Sequence, residues 1–398
     1  MGTEDKPGDY DESRIDAVSL ETGKRHVVYR GASLARYATP GYLLLARHGD
    51  VLAVPFDAKT AEVRGTPAPV LQGVSGDPRS GVSYFGVART GALIYAAGIS
   101  VEGINDVVWF DRAGRREPTG IPPGMYFQLA LSPDGQKLAY EEGPSGGARS
   151  DVWIADFAHG GQFQLTSNGK ARSPCWTPDG GSVVFAGPAG DAILRQRADG
   201  GGAAEVLWRS TQLVPITVDS VVPDGSALLF TLSGLPTRSD IFLLPLSGER
   251  RARTLIATPG AETLGRISPN GRWIAYTGEY AAGQQIYVQA FPSLAGRWQA
   301  SRGGGSAPRW SRDGRELFYV SGDQMFAVPI QQEPTFSPGE PRALFRIEQP
   351  GSSEWSDIYD VAPDGKRFVV LVRQKDSTQA PRIDVILNFG KRLAGGVP

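Results

Sequence analysis

The sequence predicts an all-β fold: a β-propeller of four-stranded antiparallel blades, its ring closed by strands from both termini. Three observations predict it. A short turn signature recurs at nearly constant spacing. Each copy is followed by one β-rich apolar run and, further on, by a second. No stretch of useful length carries helical periodicity.

The signature reads Ser132-Pro133-Asp134-Gly135, Thr177-Pro178-Asp179-Gly180, Val222-Pro223-Asp224-Gly225, Ser268-Pro269-Asn270-Gly271, Ser311-Arg312-Asp313-Gly314 and Ala362-Pro363-Asp364-Gly365. Degenerate copies are Ala88-Arg89-Thr90-Gly91 and Ala38-Thr39-Pro40-Gly41. Their glycines fall at 41, 91, 135, 180, 225, 271, 314 and 365, in steps of 50, 44, 45, 45, 46, 43 and 51. A period near 45 matches one four-stranded propeller blade. The chemistry suits a tight turn: proline fixes φ, Asp or Asn bonds its own backbone, and glycine takes φ > 0.

The runs after the turns are strands by composition: Lys137-Leu138-Ala139-Tyr140, Ser182-Val183-Val184-Phe185, Ala227-Leu228-Leu229-Phe230, Trp273-Ile274-Ala275-Tyr276 and Glu316-Leu317-Phe318-Tyr319. A third strand, usually opened by an acid, follows, as in Asp151-Val152-Trp153-Ile154. A second glycine turn and a weaker outer strand complete each unit. One such sheet has two apolar faces and cannot bury them alone; stacking the sheets round an axis does. Residues 15–29 read as the outer half of a blade, and 359–388 as a blade lacking its last strand. Together they predict eight blades in one domain over 14–392, with seven as the alternative and polar tails at 1–13 and 393–398.

Bulk properties narrow the function. Lys+Arg number 41 against 42 Asp+Glu, a net charge of −1, so nothing asks for nucleic acid. Cys175 is the one cysteine, which rules out an intrachain disulfide and Cys-rich zinc modules. No apolar run approaches the ~18 residues that span a bilayer. The first thirteen residues are polar and acidic, unlike a secretory signal. The expectation is a soluble monomer that does not enter the membrane.

The Pro-Asp-Gly hairpins with Asp-opened third strands resemble the TolB-type propeller repeat. Further stretches resemble the C-terminal propeller of bacterial receptor-like serine/threonine protein kinases: Gly41-Tyr42-Leu43-Leu44-Leu45-Ala46-Arg47 with Val54-Pro55-Phe56-Asp57, Trp109-Phe110-Asp111-Arg112-Ala113-Gly114, Ser268 to Tyr276, Gly303 to Trp310, and Val385-Ile386-Leu387-Asn388. The resemblance implies a sensing or docking propeller, with an extracytoplasmic setting. Kinase activity does not carry over, because no Gly-rich phosphate loop, His-Arg-Asp or Asp-Phe-Gly motif is present. No catalytic residue is assigned.

Gly143-Pro144-Ser145-Gly146-Gly147 matches a hydrolase G-x-S-x-G string, but no helix follows it, and His159 belongs at the far end of the next strand. A loop between strands is the favoured reading. The acids opening third strands, among them Asp50, Asp106, Asp151, Asp191 and Asp240, recur too regularly for a metal ring and read as edge devices. The best territory is the channel mouth, where the entry loops of the innermost strands converge. Arg79, Arg172, Asp219, Glu262, Arg309, Glu354 and Asp357 are the candidate binding residues there, for a small ligand or a peptide or protein segment. The other reading of each is inter-blade ion pairing. Were a divalent cation (Ca or Zn) bound, His48, Asp50, Asp219, Glu262 and Asp357 are its candidate ligands. That defines the alternative to a binding propeller, a metal-assisted hydrolase of activated esters or phosphate esters.

Overall fold

The computed structural model describes residues 13–394 apart from 40, 48, 78–81, 98–103, 144–149, 168, 170, 188–190, 212–213, 281–282, 348–357 and 375–381. The chain separates into two compact units where the sequence reading has one domain. The larger comprises 104–143 and 149–374; the smaller comprises 1–103, 144–148 and 375–398.

The larger unit holds six four-stranded antiparallel blades. Blade 1 is Tyr126–Leu131, Lys137–Glu142, Asp151–Asp156 and Gln162–Gln164. Blade 2 is Arg172–Trp176, Ser182–Ala186, Ala192–Arg197 and Glu205–Arg209. Blade 3 is Ile216–Val221, Ala227–Leu235, Arg238–Pro245 and Arg253–Ile256. Blade 4 is Ala261–Ile267, Trp273–Tyr280, Gly283–Ala290 and Trp298–Gln299. Blade 5 is Ser306–Trp310, Glu316–Ser321, Gln324–Gln331 and Arg342–Arg346. Blade 6 is built from both ends of the unit: Tyr359–Val361 and Arg367–Arg373 inside, Asn105–Asp111 and Arg116–Pro118 outside. The inner strands touch in the cycle 1-2-3-4-5-6-1.

Packing follows from strand alternation. In Ser182–Ala186, Val183 and Phe185 join a core with Val152 and Ile154 of blade 1, while Val184 and Ala186 join Val218, Leu228 and Phe230 of blade 3. The same division recurs at blades 3/4 and 4/5. The last core joins Phe368 to Val372 of blade 6 to Leu138 and Tyr140 of blade 1 and to Phe318 and Met325 of blade 5. The middle of each second strand is apolar on both faces, as in Leu138-Ala139-Tyr140 and Val183-Val184-Phe185-Ala186, because both faces are covered, which is why it reads as a continuous run.

Three expectations are corrected here. Six sheets, rather than eight or seven, form this closed cycle. The ring is closed by 105–118 and 359–373, not by strands at the chain ends. Arg382–Ile386 does not continue the blade of 359–373; it pairs with Leu93–Ala97. The physical reason is that the ~45-residue period records turns, and both units share it. Closure depends on the long-range register Val107↔Leu371 and Phe110↔Phe368, which no local signature encodes.

The smaller unit stacks a hairpin, Arg14–Val18 with Arg25–Arg30, on a sheet of Leu34–Ala38, Tyr42–Arg47, Asp50–Asp57, Glu62–Val63 and Ala68–Leu71. Ile15, Val28 and Tyr29 cover one face of that sheet over Leu43 and Leu45. Its other face, with Leu44, Val51 and Leu71, packs on Phe85 and Leu93 of a three-stranded sheet, Phe85–Val87, Leu93–Ala97 and Arg382–Ile386. A short helix, Phe389–Ala394, seats Phe389 and Leu393 in the same core.

Candidate functional site

The inner strands of the larger unit share a local irregularity. Their register against the second strand slips between Tyr126 and Leu129, Arg172 and Cys175, Val218 and Ser220, Thr263 and Arg266, and Ser306 and Arg309. Five of six blades thus carry a bulge within the inner strand, before the turn signature. Ser173, Leu264 and Ala307 stand in the left-handed region there, at φ 54°, 57° and 54°. A bulge bends its strand and re-aims a side chain, and such features concentrate beside binding sites. The belt they form is the candidate site.

Most polar groups of the belt are already bonded. Asp219 is buried and accepts from Thr231 Oγ1 (2.8 Å). Glu262 is fully buried and accepts from Thr258 Oγ1 (2.5 Å) and the Thr258 amide (3.0 Å). Nearby Asp240 accepts from Thr237 Oγ1 (2.7 Å), and burial, then the Glu262 charge, pushes its carboxyl above the usual range. Arg309 ion-pairs with Asp360 (3.2 Å) and lies over the Tyr359 ring at 5.9 Å. Asp360 also accepts from the Leu131 amide (2.8 Å), and Tyr359 donates to the Ala307 carbonyl (2.7 Å).

Among the described residues, Gln128 Oε1 on blade 1 and Thr263 Oγ1 on blade 4 are buried with no hydrogen-bond partner, as is the second oxygen, Oδ1, of Asp240. In a six-membered cycle these blades are opposite each other. Neither Gln128 nor Thr263 is among the residues selected from the sequence. The register slips beside them are the signal, and those are visible only in the paired strands.

Of the predicted site residues, the structure sets Asp219, Glu262 and Arg309 on the inner strands of blades 3, 4 and 5, while Arg172 is exposed at the start of blade 2. Asp50 belongs to the smaller unit, where its carboxylate accepts from the Gly73 amide (3.3 Å). His48, Arg79, Ser145, Glu354 and Asp357 lie outside the described residues. Among the described residues no three His, Cys, Asp or Glu side chains come together in a way that would hold a metal ion. His159 pairs with Asp156 (3.1 Å), and His26 contacts the Ala61 carbonyl (3.1 Å). The strand-opening acids act locally: Asp151 accepts from Thr166 Oγ1 (2.7 Å) and the Gly169 amide (3.1 Å), and Asp191 pairs with Arg209 (3.2 Å).

Solved structures share the fold. A TolB-like protein from Agrobacterium tumefaciens superposes with a TM-score of 0.55 at 17% identity, over 68% of this chain and 99% of that one. The fold is a TolB-like β-propeller. TolB from Acinetobacter baumannii aligns over 89% of this chain and 76% of its own, with a TM-score of 0.47 and 16% identity. An oligogalacturonate lyase in complex with manganese aligns over 92% and 97%, with a TM-score of 0.40 and 14% identity. No family model matches the sequence, and no curated protein matches it either. Among the described residues no helix is long and apolar enough to cross a membrane.

Proposed function

We propose that the larger unit is a non-enzymatic binding propeller of the sensing or docking kind. It takes a small ligand or a peptide segment at the entry half of its inner strands. The observation that carries this is the pair of buried, unpartnered acceptors, Gln128 Oε1 and Thr263 Oγ1, at the bulge belt. Buried polar groups are satisfied almost everywhere in folded proteins, so each exception asks for a bound water or ligand. The acids of the belt are held by threonine hydroxyls, an arrangement suited to fixing a wall and not to moving protons. The resemblance to receptor-kinase propellers supports a ligand that is sensed and released unchanged.

The test is thermal-shift and calorimetric screening of the purified chain against short peptides and small polar molecules. Hits are repeated on Gln128→Leu and Thr263→Val. We expect both variants to keep the free protein's melting temperature within a few degrees, since removing an unsatisfied buried group is near neutral. We expect them to weaken binding about tenfold or more, the value of one or two hydrogen bonds. A parallel panel of chromogenic esters and phosphate esters is run with and without chelator. Chelator-sensitive turnover, with stoichiometric metal by elemental analysis, overturns the binding-only reading.

A further inference from the structure

Within the smaller unit, and among the described residues, the three-stranded sheet has one face with no cover. Its register puts Gly86, Ile94 and Val385 in one row, since Gly86 pairs with Ile94 and Ile94 with Val385. The next row holds Tyr84, Ala96 and Ile383: the Ala96 amide donates to the Tyr84 carbonyl (2.9 Å), and Ala96 pairs with Ile383. Val82, paired with Asp77 in a separate two-stranded sheet, and Leu387, in the turn after Arg382–Ile386, flank these rows along the chain. The opposite face, with Phe85, Leu93 and Ile386, is in the core. Every side chain in the open rows is apolar or absent. With the two flanking residues, six are well exposed: Val82 44%, Tyr84 40%, Ile94 47%, Ile383 65%, Val385 56% and Leu387 70%.

We propose that this face is the contact between two copies of the chain, related by a twofold axis. The six side chains expose on the order of 600 Å² of mostly apolar surface. That is at the upper end of the ~300–600 Å² of the largest patch on a typical monomer and approaches the ~800 Å² per partner of a stable interface. No charged side chain stands in the rows, and the chain carries a net charge of only −1, so two copies meet without repulsion. A flat apolar sheet face is self-complementary, and pairing like with like closes at two copies. The alternative seat for it, the hairpin end where Val18, Leu20 and Val27 are exposed, would join copies head to tail, giving a ring or an open series and not a dimer with a twofold axis. Two such faces pack as in a β-sandwich, with Gly86 and Ala96 leaving room for the larger side chains opposite.

The test is the mass of the whole chain in solution, by light scattering and sedimentation from about 1 to 100 µM, the range where interfaces of this size associate. Three proteins are compared: the unaltered chain, Ile383→Glu, and Val206→Glu as a control on the larger unit. Circular dichroism and melting curves establish that each is folded. Leu387→Ser serves as a second, milder variant on the same face. We expect a dimer for the unaltered chain and the control. A buried carboxylate at 383 should weaken association by at least a hundredfold. Hydrogen exchange at 383–387 should slow as concentration rises. A monomer throughout the range overturns the proposal. So does a dimer that survives Ile383→Glu, or a series of larger species.

Discussion

At the residue scale, the turn signature is a hydrogen-bonded unit. Ser132 Oγ donates to Asp134 Oδ1 (2.6 Å), which also accepts the Gln136 amide (3.0 Å), while the Lys137 amide donates back to Ser132 Oγ (2.8 Å). Thr177 with Asp179, Ser268 with Asn270 and Ser311 with Asp313 repeat the pattern. These hydroxyls, and then the amides, hold the Asp134, Asp179 and Asp313 carboxyls below the usual carboxylate range. A depressed folded pKa contributes stability that is present above the unfolded value, near 3.9, and is lost as pH falls through the folded values. The denaturant midpoint should therefore hold from pH 7 to about 5 and drop steadily below about 4, as chemical denaturation at each pH would record. The glycines separate two costs. Gly271 stands at φ +71° with nothing within 4 Å of a would-be Cβ, whereas at Gly135 (φ +74°) that Cβ meets Pro363 Cδ at 2.6 Å. Gly271→Ala should cost about 1 kcal/mol, the left-handed penalty alone, and Gly135→Ala at least about 1 kcal/mol more, because a proline ring cannot swing aside. Equal midpoint shifts in the two variants would contradict this.

At the scale of the strand and blade, the sequence was legible wherever a local rule decides the structure. Each Pro-Asp-Gly copy of the larger unit sits between the first and second strands of a blade. The continuous runs after them are the doubly buried second strands. The bulges were not legible. Pro174 and Pro308 stand at two of them, yet the others are Phe127-Gln128, Asp219 and Leu264-Gly265, with no common residue type. A bulge is set by how the inner strand must turn toward its neighbours, so it belongs to the ring and not to the segment. Ala307 exposes that constraint. It is buried and left-handed; its amide donates to Thr277 Oγ1 (3.2 Å) and its carbonyl accepts from Tyr359. Ala307→Gly should leave stability within about 1 kcal/mol, lost side-chain contact offsetting relieved strain. Ala307→Val should cost more than about 2 kcal/mol, since a β-branched residue fits the left-handed region poorly and has no room. Thermal melts of the two variants check the ordering.

For the larger unit as a whole, stability rests on a seam that no repeat predicts. Five inner strands follow one another along the chain, but blade 6 must recover its outer strands from residues 105–118. Asp360 lies at that junction. Its carboxylate takes the Arg309 guanidinium of blade 5 on one oxygen and the Leu131 amide of blade 1 on the other, so one side chain ties three consecutive blades across the closure. Arg112 adds a two-pronged bond to Glu316 (2.7 and 2.8 Å) and a third to the Gly365 carbonyl (3.1 Å). Arg309 stood out in the sequence as a charged candidate, whereas Asp360 did not, because a lone acid in a short strand has no pattern around it. Asp360→Ala should destabilise the unit by about 2–4 kcal/mol. It leaves a nearly buried guanidinium and a main-chain amide short of their acceptor, and the loss of one partner costs more than the pair contributes. Asp323→Ala, which removes an exposed ion pair at 3.8 Å, should cost under about 0.5 kcal/mol. If closure is the weak point of the ring, Asp360→Ala should also speed unfolding more than it slows refolding, since the seam forms last. Denaturant titration gives the first quantity and stopped-flow fluorescence the second. A midpoint for Asp360→Ala that matches Asp323→Ala would mean the ring closes on apolar packing alone.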